Sequence, residues 1–370
     1  MTPVTHVAKA QEGDPARSTD TGPGACPIPS GQYDRIVLGH GSGGRLSADL
    51  LARVFLPAFK NEVLSALEDQ ATVRIGDGAT LAMTTDAFVV RPIFFPGGDI
   101  GSLAVHGTVN DLAVGGARPL YLAAAFILEE GLEIQDLVRV VDSMRVACEE
   151  AKITLVTGDT KVVDSGKGDK IFITTTGIGV IPAWRAGRTL SVSHARPGDK
   201  VLVSGTLGDH GMAIMSVREG LEFETELKSD SAPLTDLTRL ILEIAPETRC
   251  MRDPTRGGLA SALNEIASAS HVGIVLHERS LPVRAEVRGA CEMLGLDPLY
   301  VASEGKLVAI VPKDDADRVL ESMHAHPLGR DAAMIGEVVA AHRATVTMRT
   351  LVGGERVVAM LTGEQLPRIC

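Results

Sequence analysis

Aromatic residues make up only 3% of the 370-residue chain, with one Trp, three Tyr and eight Phe, so its core must lean on Val, Ile, Leu and Ala. Basic charge is also short: 36 Lys+Arg against 47 Asp+Glu give a net charge of −11, with no basic run. That balance argues against nucleic acid or an anionic membrane as the main partner. A phosphorylated ligand stays open, because carboxylates can hold phosphates through Mg²⁺. Five cysteines (Cys26, Cys148, Cys250, Cys291 and Cys370) are odd in number and never in CxxC spacing, which excludes a disulfide framework and a zinc knuckle. His40, His106, His194, His210 and His277 are dispersed, so a His/Cys metal site is not expected. The longest apolar run, Leu120–Leu128, is far short of a membrane span and reads as a buried strand. No secretory h-region opens the chain, and a soluble cytoplasmic protein is expected. No GxxxxGK[ST] is present, so a P-loop is out.

What is present is an ordinary globular balance, 45% apolar and 22% charged, over a length that suits two domains. Residues 1–31, rich in Pro, Gly, Thr and Ser, are expected to be a disordered extension. A first domain is expected over 32–183, a second over 184–358, and a mobile tail over 359–370, the break falling in the polar stretch Ala183–Lys200. Apolar spacing predicts strands at Ile36–Leu38, Ala71–Ile75, Thr80–Thr85, Phe88–Val90, Ile153–Thr157 and Ile171–Val180. Helices are predicted at Leu46–Phe59, Ser102–Val114 and Ile134–Ala151. Past the break, strands at Val201–Ser204, Ile274–Leu276, Leu307–Val311 and Val346–Arg349 alternate with helices such as Leu259–Ala269. The fold class is therefore a pairing of α/β and α+β domains.

Gly39-His-Gly-Ser-Gly43-Gly44 satisfies GxGxxG between an apolar triplet and a helix. It reads as a dinucleotide loop, a phosphate-facing loop of another kind, or a plain turn. Several acidic residues sit among small residues where a cation could approach: Asp69, Asp86, Asp111 after Asn110, Asp159 near Lys161, Asp253 and Glu304, with Asp77 assigned to a turn. Singly each is a cap or a solvated charge; together they suit Mg²⁺ and phosphate, with a lysine for a transferred phosphoryl group. Thr255-Arg256-Gly-Gly before a helix offers backbone donors to a phosphate. Cys370 is the last residue, on a Leu-Pro-Arg-Ile arm; it is either an incidental thiol or a group carrier, with Arg368 favouring its thiolate.

With HGSGG, FFPGGDIGSLAVHGTVNDLAVGGARP, FILEEG, VTGDTKVV, RDPTRGG, DPLYVASEGK and the terminal PRIC, the sequence from about Leu38 to Cys370 resembles the HypE family of carbamoyl dehydratases. These are hydrogenase maturation factors of the PurM-like (aminoimidazole ribonucleotide synthetase-like) ATP-binding superfamily. The resemblance implies a two-domain fold whose N-terminal strands complete a barrel-type interface across a homodimer, with a C-terminal α+β domain beside it. It implies that a carbamoyltransferase, HypF, loads a carbamoyl group on the terminal cysteine, and that ATP drives dehydration of this S-carboxamide to a thiocyanate. The cyanide then passes to iron on the HypC–HypD complex. On the family pattern Asp69, Asp86, Asp111 and Asp253 would hold Mg²⁺, and Asn110, Asp159, Gly43, Gly44, Thr255 and Arg256 would bind the nucleotide. Lys161 would stabilise the transferred group, Glu304 would accept a proton from the carboxamide nitrogen, and Cys370 would carry the substrate. Pro367 and Gly363 would shape the arm's motion. A metabolite kinase of the same superfamily would have no need of Cys370, and a selenophosphate synthetase would place a reactive residue in the glycine loop, where HGSGG has none.

Overall fold

Two hydrophobic patterns divide the chain. In Ile171–Val180 the buried Ile171, Ile173 and Thr175 alternate with the exposed Thr174 and Ile178, the mark of a sheet with one dry face. Val201–Val203 and Val308–Val311 are instead unbroken buried runs, which need cover on both faces. The computed structural model, which describes residues 36–59, 61–76, 79–220, 227–362, 366 and 368–370, contains one sheet of each kind. The 1–31 stretch with Cys26, and also Asp77, Gly363 and Pro367, lie outside the described residues.

The first sheet has the order Ala71–Ile75, Ala79–Phe88, Ile171–Val180, Arg118–Glu129, Thr154–Val163, antiparallel except for its last pair. The helix Ile100–Val114 lies on one face, with Ile134–Ala151 packed beside it. The Asp99 carboxylate opens that first helix by accepting the N–H groups of Gly101 and Ser102, while Ser102 Oγ accepts the Asp99 N–H. The helix is buried on all sides because the second half of the chain covers the side that the sheet leaves. The second sheet runs Glu355–Val357, Thr345–Arg349, Gly273–His277, Ala333–Val339, Lys200–Val203, Val308–Val311, Cys250–Arg252. Gly258–Ser270 packs on one of its faces, Thr235–Ile244 and Lys313–Ala325 on the other. Residues 38–370 form one compact unit, and no described helix is long and apolar enough to cross a membrane.

Three expectations change. Thr80–Thr85 and Phe88–Val90 are not separate strands: Ala79–Phe88 runs unbroken, and Val90 bridges to Ile369 in the C-terminal tail. The glycine loop follows a short 3₁₀ turn at Leu38–Gly41 rather than a strand, so the strand–loop–helix geometry of a dinucleotide site is absent there. Leu120–Leu128 belongs to a longer strand that is only half covered, with Tyr121 and Ile127 exposed by 49% and 41%. The uncovered face also carries Met83 and Ile178, and the outermost strand exposes Leu155, Val156 and Val162. Within one chain this sheet is open, not a closed barrel: its two edge strands have no further strand partner among the described residues.

Asn110 ties the two halves together. From the buried helix Ile100–Val114 its Nδ2 donates to the carbonyls of Ala232 and Glu304, each at 3.0 Å, and its Oδ1 accepts the Leu234 N–H at 2.8 Å. Its amide is committed to backbone, so Asn110 does not position phosphates as expected; it braces the Glu304 loop. Asn110→Ala strands three buried backbone groups and should cost roughly 2–4 kcal/mol. Urea denaturation reads this as a lower midpoint at unchanged slope; a loss below about 0.5 kcal/mol would show that the bonds are dispensable.

Candidate active site

A cavity of about 320 Å³ opens where Ala79–Phe88, the Ile100–Val114 helix and the start of Gly258–Ser270 converge. Carboxylate oxygens of Asp69, Asp111 and Asp253 lie within 4.8 Å of one another inside it. Asp69 precedes the first strand, Asp111 sits in the last turn of its helix, and Asp253 follows the strand Cys250–Arg252. The Thr84 hydroxyl bridges two of these segments, 2.7 Å from Asp111 Oδ2 and 3.0 Å from the Asp69 carbonyl. Three hard oxygen donors converging in this way fit Mg²⁺. Asp86 stands beside this trio rather than within it, bonded to Asp111 and accepting the Thr108 hydroxyl at 3.3 Å.

The cluster is short of counter-charge. Burial, then the charges of Asp86 and Asp253, pushes Asp111 well above the ordinary aspartate range. Burial also raises Asp86, against the pull of Arg256, and burial followed by Asp86 brings Asp253 to about 6. Carboxyls this close and this far withdrawn from solvent do not all ionise readily until a cation joins them. Arg256 faces the cavity from the other side; Arg252 pairs with both Asp69 and Glu265 and donates to the Leu67 carbonyl.

Glu304 is 1% exposed and its Oε1 has no partner among the described residues. Its N–H is held by Asp230 Oδ1 at 3.0 Å, and burial, then the charge of Asp253, raises its pKa well above the ordinary value. The Cys370 thiol lies within side-chain hydrogen-bonding reach of this carboxyl and lines the same cavity. Burial, then Glu304, pushes the thiol pKa up, so the docked sulphur is neutral and poorly nucleophilic. Arg368 does not favour the thiolate as expected, because its guanidinium turns to Asp169 at 2.6 Å; Arg256 is the cation that opposes the rise.

The tail is seated by backbone. Val89 N–H donates to the Cys370 carbonyl at 3.2 Å and Arg91 N–H to the Arg368 carbonyl at 3.1 Å. Arg218 donates to the carbonyls of both Arg91 and Arg368, and His210 Nε2 lies 2.6 Å from the Ile369 carbonyl oxygen.

Of the other residues read from the sequence, Gly43, Thr255 and Arg256 line the cavity. Gly43 has φ +72°, and a Cβ there would fall 2.6 Å from Arg256 Cβ, so only glycine lets the loop lie against that arginine. Gly44 does not reach the cavity; it packs on Leu361, whose carbonyl oxygen a Cβ would meet at 2.4 Å. Asp159 and Lys161 are also elsewhere. They pair with each other at 2.5 Å on the outermost strand, about two-thirds exposed, and alternation turns both to the uncovered face of the sheet. Thr84, Arg252, Glu265 and Ser261 belong to the cavity but were missed. Arg252 opens RDPTRGG and so lay within a signalled motif; Thr84 and Glu265 had no sequence signal. Ser261 sits in the first turn of Gly258–Ser270, its buried hydroxyl lacking a partner among the described residues.

Residues 67–181 match the AIR synthase related protein, N-terminal domain, and residues 196–349 match the AIR synthase related protein, C-terminal domain. The two-domain PurM-like fold follows. The carbamoyl dehydratase HypE of Cupriavidus necator is 59% identical over 336 residues, 91% of this chain and 95% of that protein. The chain belongs to the HypE carbamoyl dehydratase family. A HypE crystal structure in complex with ATP is 50% identical, with a TM-score of 0.75, and covers 91% of this chain and all of its own. The HypE chain of a HypE–HypF complex is 49% identical, with a TM-score of 0.79, over 84% of this chain and 99% of its own. Membership of the HypE family gives the neutral, docked Cys370 and the carboxyl cluster a common chemical context.

The raised aspartates fix a pH dependence. An unfolded aspartate ionises near 3.8, so between that value and about 6 the folded protein keeps a proton on Asp253 that the unfolded chain has lost. Without metal, this group makes stability fall as pH rises across that window. A divalent cation at this cluster would bind the deprotonated set, so the rise in melting temperature produced by Mg²⁺ should be several-fold larger at pH 7.5 than at pH 5. An equal rise at both values would remove the cluster as a cation site.

Proposed function

We propose that the chain dehydrates a carbamoyl group carried on its own Cys370 to a thiocyanate, using ATP bound with Mg²⁺ over the aspartate cluster. The observation that carries this reading is the seating of the terminal thiol beside Glu304 in the cavity that holds Asp69, Asp111 and Asp253. A free-metabolite kinase would need no thiol there.

The chemistry explains why ATP is needed. Hydroxide is a poor leaving group from a thiocarbamate, whereas phosphate leaves readily. The amide oxygen takes the γ-phosphoryl group, ADP departs, and one N–H proton is lost. Loss of the second N–H proton then expels phosphate and closes the C≡N bond on sulphur. Phosphoryl transfer asks for alignment and charge neutralisation more than for covalent help. Asp69, Asp111 and Asp253, with Asp86 beside them, would hold Mg²⁺, which supplies that neutralisation to the phosphates. Gly43, Thr255, Arg256 and the first turn of Gly258–Ser270 cradle the nucleotide. Glu304 accepts the nitrogen-bound proton. Its raised pKa makes it a strong base, and neutralising Asp253 and Asp86 removes repulsion that keeps it protonated.

Lys161 enters in this reading from a second copy of the chain. It stands three strands from Ala79–Phe88, about 14 Å at ordinary strand spacing, and on the other face of the sheet. A homodimer that covers the apolar open face would bring Asp159 and Lys161 towards the other copy's cavity only round the sheet edge at Thr84–Phe88, which pairs with no residue of Ala71–Ile75. HypF would load the carbamoyl group, since the neutral docked thiol is unsuited to attack and must be met outside. The cyanide would pass to iron on HypC–HypD for a [NiFe]-hydrogenase.

Two measurements test this. Mass spectrometry of the C-terminal peptide, after incubation with the carbamoyltransferase and carbamoyl phosphate, should show a carbamoyl adduct on Cys370. That adduct should lose one water only when hydrolysable ATP is supplied; an unmodified Cys370 alongside robust ATP use would favour a metabolite kinase. Asp111→Ala should lower ATP turnover at least 100-fold, about 2.7 kcal/mol of barrier, while the protein stays folded. Turnover within a few-fold of the parent would displace Asp111 from the cation site.

A further inference from the structure

His210 is fully buried in the first turn of Asp209–Glu219, and it does not line the cavity. Its Nε2 lies 2.6 Å from the carbonyl oxygen of Ile369, and its Nδ1 lies 2.8 Å from Ser229 Oγ. A carbonyl can only accept, so Nε2 carries the proton. Ser229 Oγ already accepts the Ser231 N–H at 3.1 Å, which leaves its own proton to be donated to Nδ1. Every polar position of a neutral imidazole is thus used, and the ring's rotation is held further by Phe95, edge-on with centroids 5.5 Å apart.

The Ile369 carbonyl belongs to the last peptide bond of the chain. Fixing that peptide plane on one side of Cys370 Cα, while Val89 N–H holds the Cys370 oxygen on the other, fixes where the Cα–Cβ bond points. The opposite edge of the tail carries the backbone bonds from Val89 and Arg91, a single bridge rather than a strand, with Arg218 adding a side-chain bond to the Arg368 carbonyl. The segment that orients His210 also sets the thiol's neighbour: Asp230, next to Ser229, holds the Glu304 N–H.

We infer that His210 is the positioning residue that seats the terminal thiol, its Nε2–H bond to Ile369 holding Cys370 Sγ against Glu304. Ser229 sets the ring for that task and links the seat to the Glu304 loop. The inference rests on Cys370 being the carrier thiol of the proposed function, but its first readout needs no carbamoyl group.

The test uses the full-length protein and the rate at which iodoacetamide modifies Cys370, followed in the C-terminal peptide by mass spectrometry. H210A should raise that rate about tenfold, the loss of one buried hydrogen bond. H210Q, whose side-chain N–H can reach the same carbonyl, should restore most of the protection. In protein carbamoylated beforehand, H210A should lower kcat for dehydration by a similar factor and leave KM for ATP unchanged. A parental alkylation rate in folded H210A would overturn the inference. So would H210Q as reactive as H210A, because the ring would then be packing only. The buried Cys250 and Cys291 report the fold by staying unmodified. Where they react in H210A, S229A takes its place, with a rise of about threefold expected; a parental rate there overturns the inference equally. Failure to form thiocyanate with protection intact would instead sink the proposed function and leave the seat standing.

Discussion

A set of carboxyls buried without enough positive charge is the constraint on which the rest depends. Asp86, Asp111, Asp253 and Glu304 all have raised pKa values for the same first reason, desolvation, and most raise one another further. Evolution could have relieved this with another arginine. Arg252 is instead paired with Asp69 and Glu265 while also acting on Asp253, and Arg256 faces Asp86, Asp111 and Glu304. The carboxyls are thus left short of positive charge that a divalent cation would supply, and the loops around them are braced by neutral hydrogen bonds such as those of Asn110.

The same shortage of positive charge governs the terminal thiol. A cysteine docked among carboxyls is poorly nucleophilic, which is the wrong state for receiving a carbamoyl group and a harmless one for holding it. On the proposed function this calls for two stations of the tail, one outside where the thiol would be loaded and one inside where its cargo would meet the nucleotide. The inner station is built from a few hydrogen bonds rather than from a strand, so its occupancy can respond to small changes in contact. Sequestration there would also keep water from the activated intermediate.

Much of this was legible in the sequence, and unevenly so. Ala71–Ile75, Ile134–Ala151 and Ile171–Val180 were placed to the residue because each is strongly periodic and ends at turn signals. Asp69, Asp111, Asp253, Glu304 and Cys370 were all named, and they do share one cavity. Asn110 was assigned to the nucleotide on the family pattern alone, and the backbone partners that take up its amide lie more than a hundred residues away, where no local signal shows them. His210 was set aside as one dispersed histidine among several, since nothing local shows that its carbonyl partner is the penultimate residue. Thr84 illustrates the same limit: its bridging role exists only once two distant segments meet.

Lys161 shows where a single chain stops being the unit of argument. Alternation along Thr154–Val163 fixes the face of the sheet on which its side chain emerges, and no rotamer carries it through the sheet to the aspartates of its own chain. That face bears Met83, Tyr121, Ile127 and Ile178, an apolar surface of the kind that a monomer rarely leaves in water. An isologous contact across it would cover that surface in both copies at once, and would bring each lysine to the other copy's cavity only round the sheet edge at Thr84–Phe88, which pairs with no residue of Ala71–Ile75. The pairing of Lys161 with Asp159 is an exposed ion pair, which is worth little.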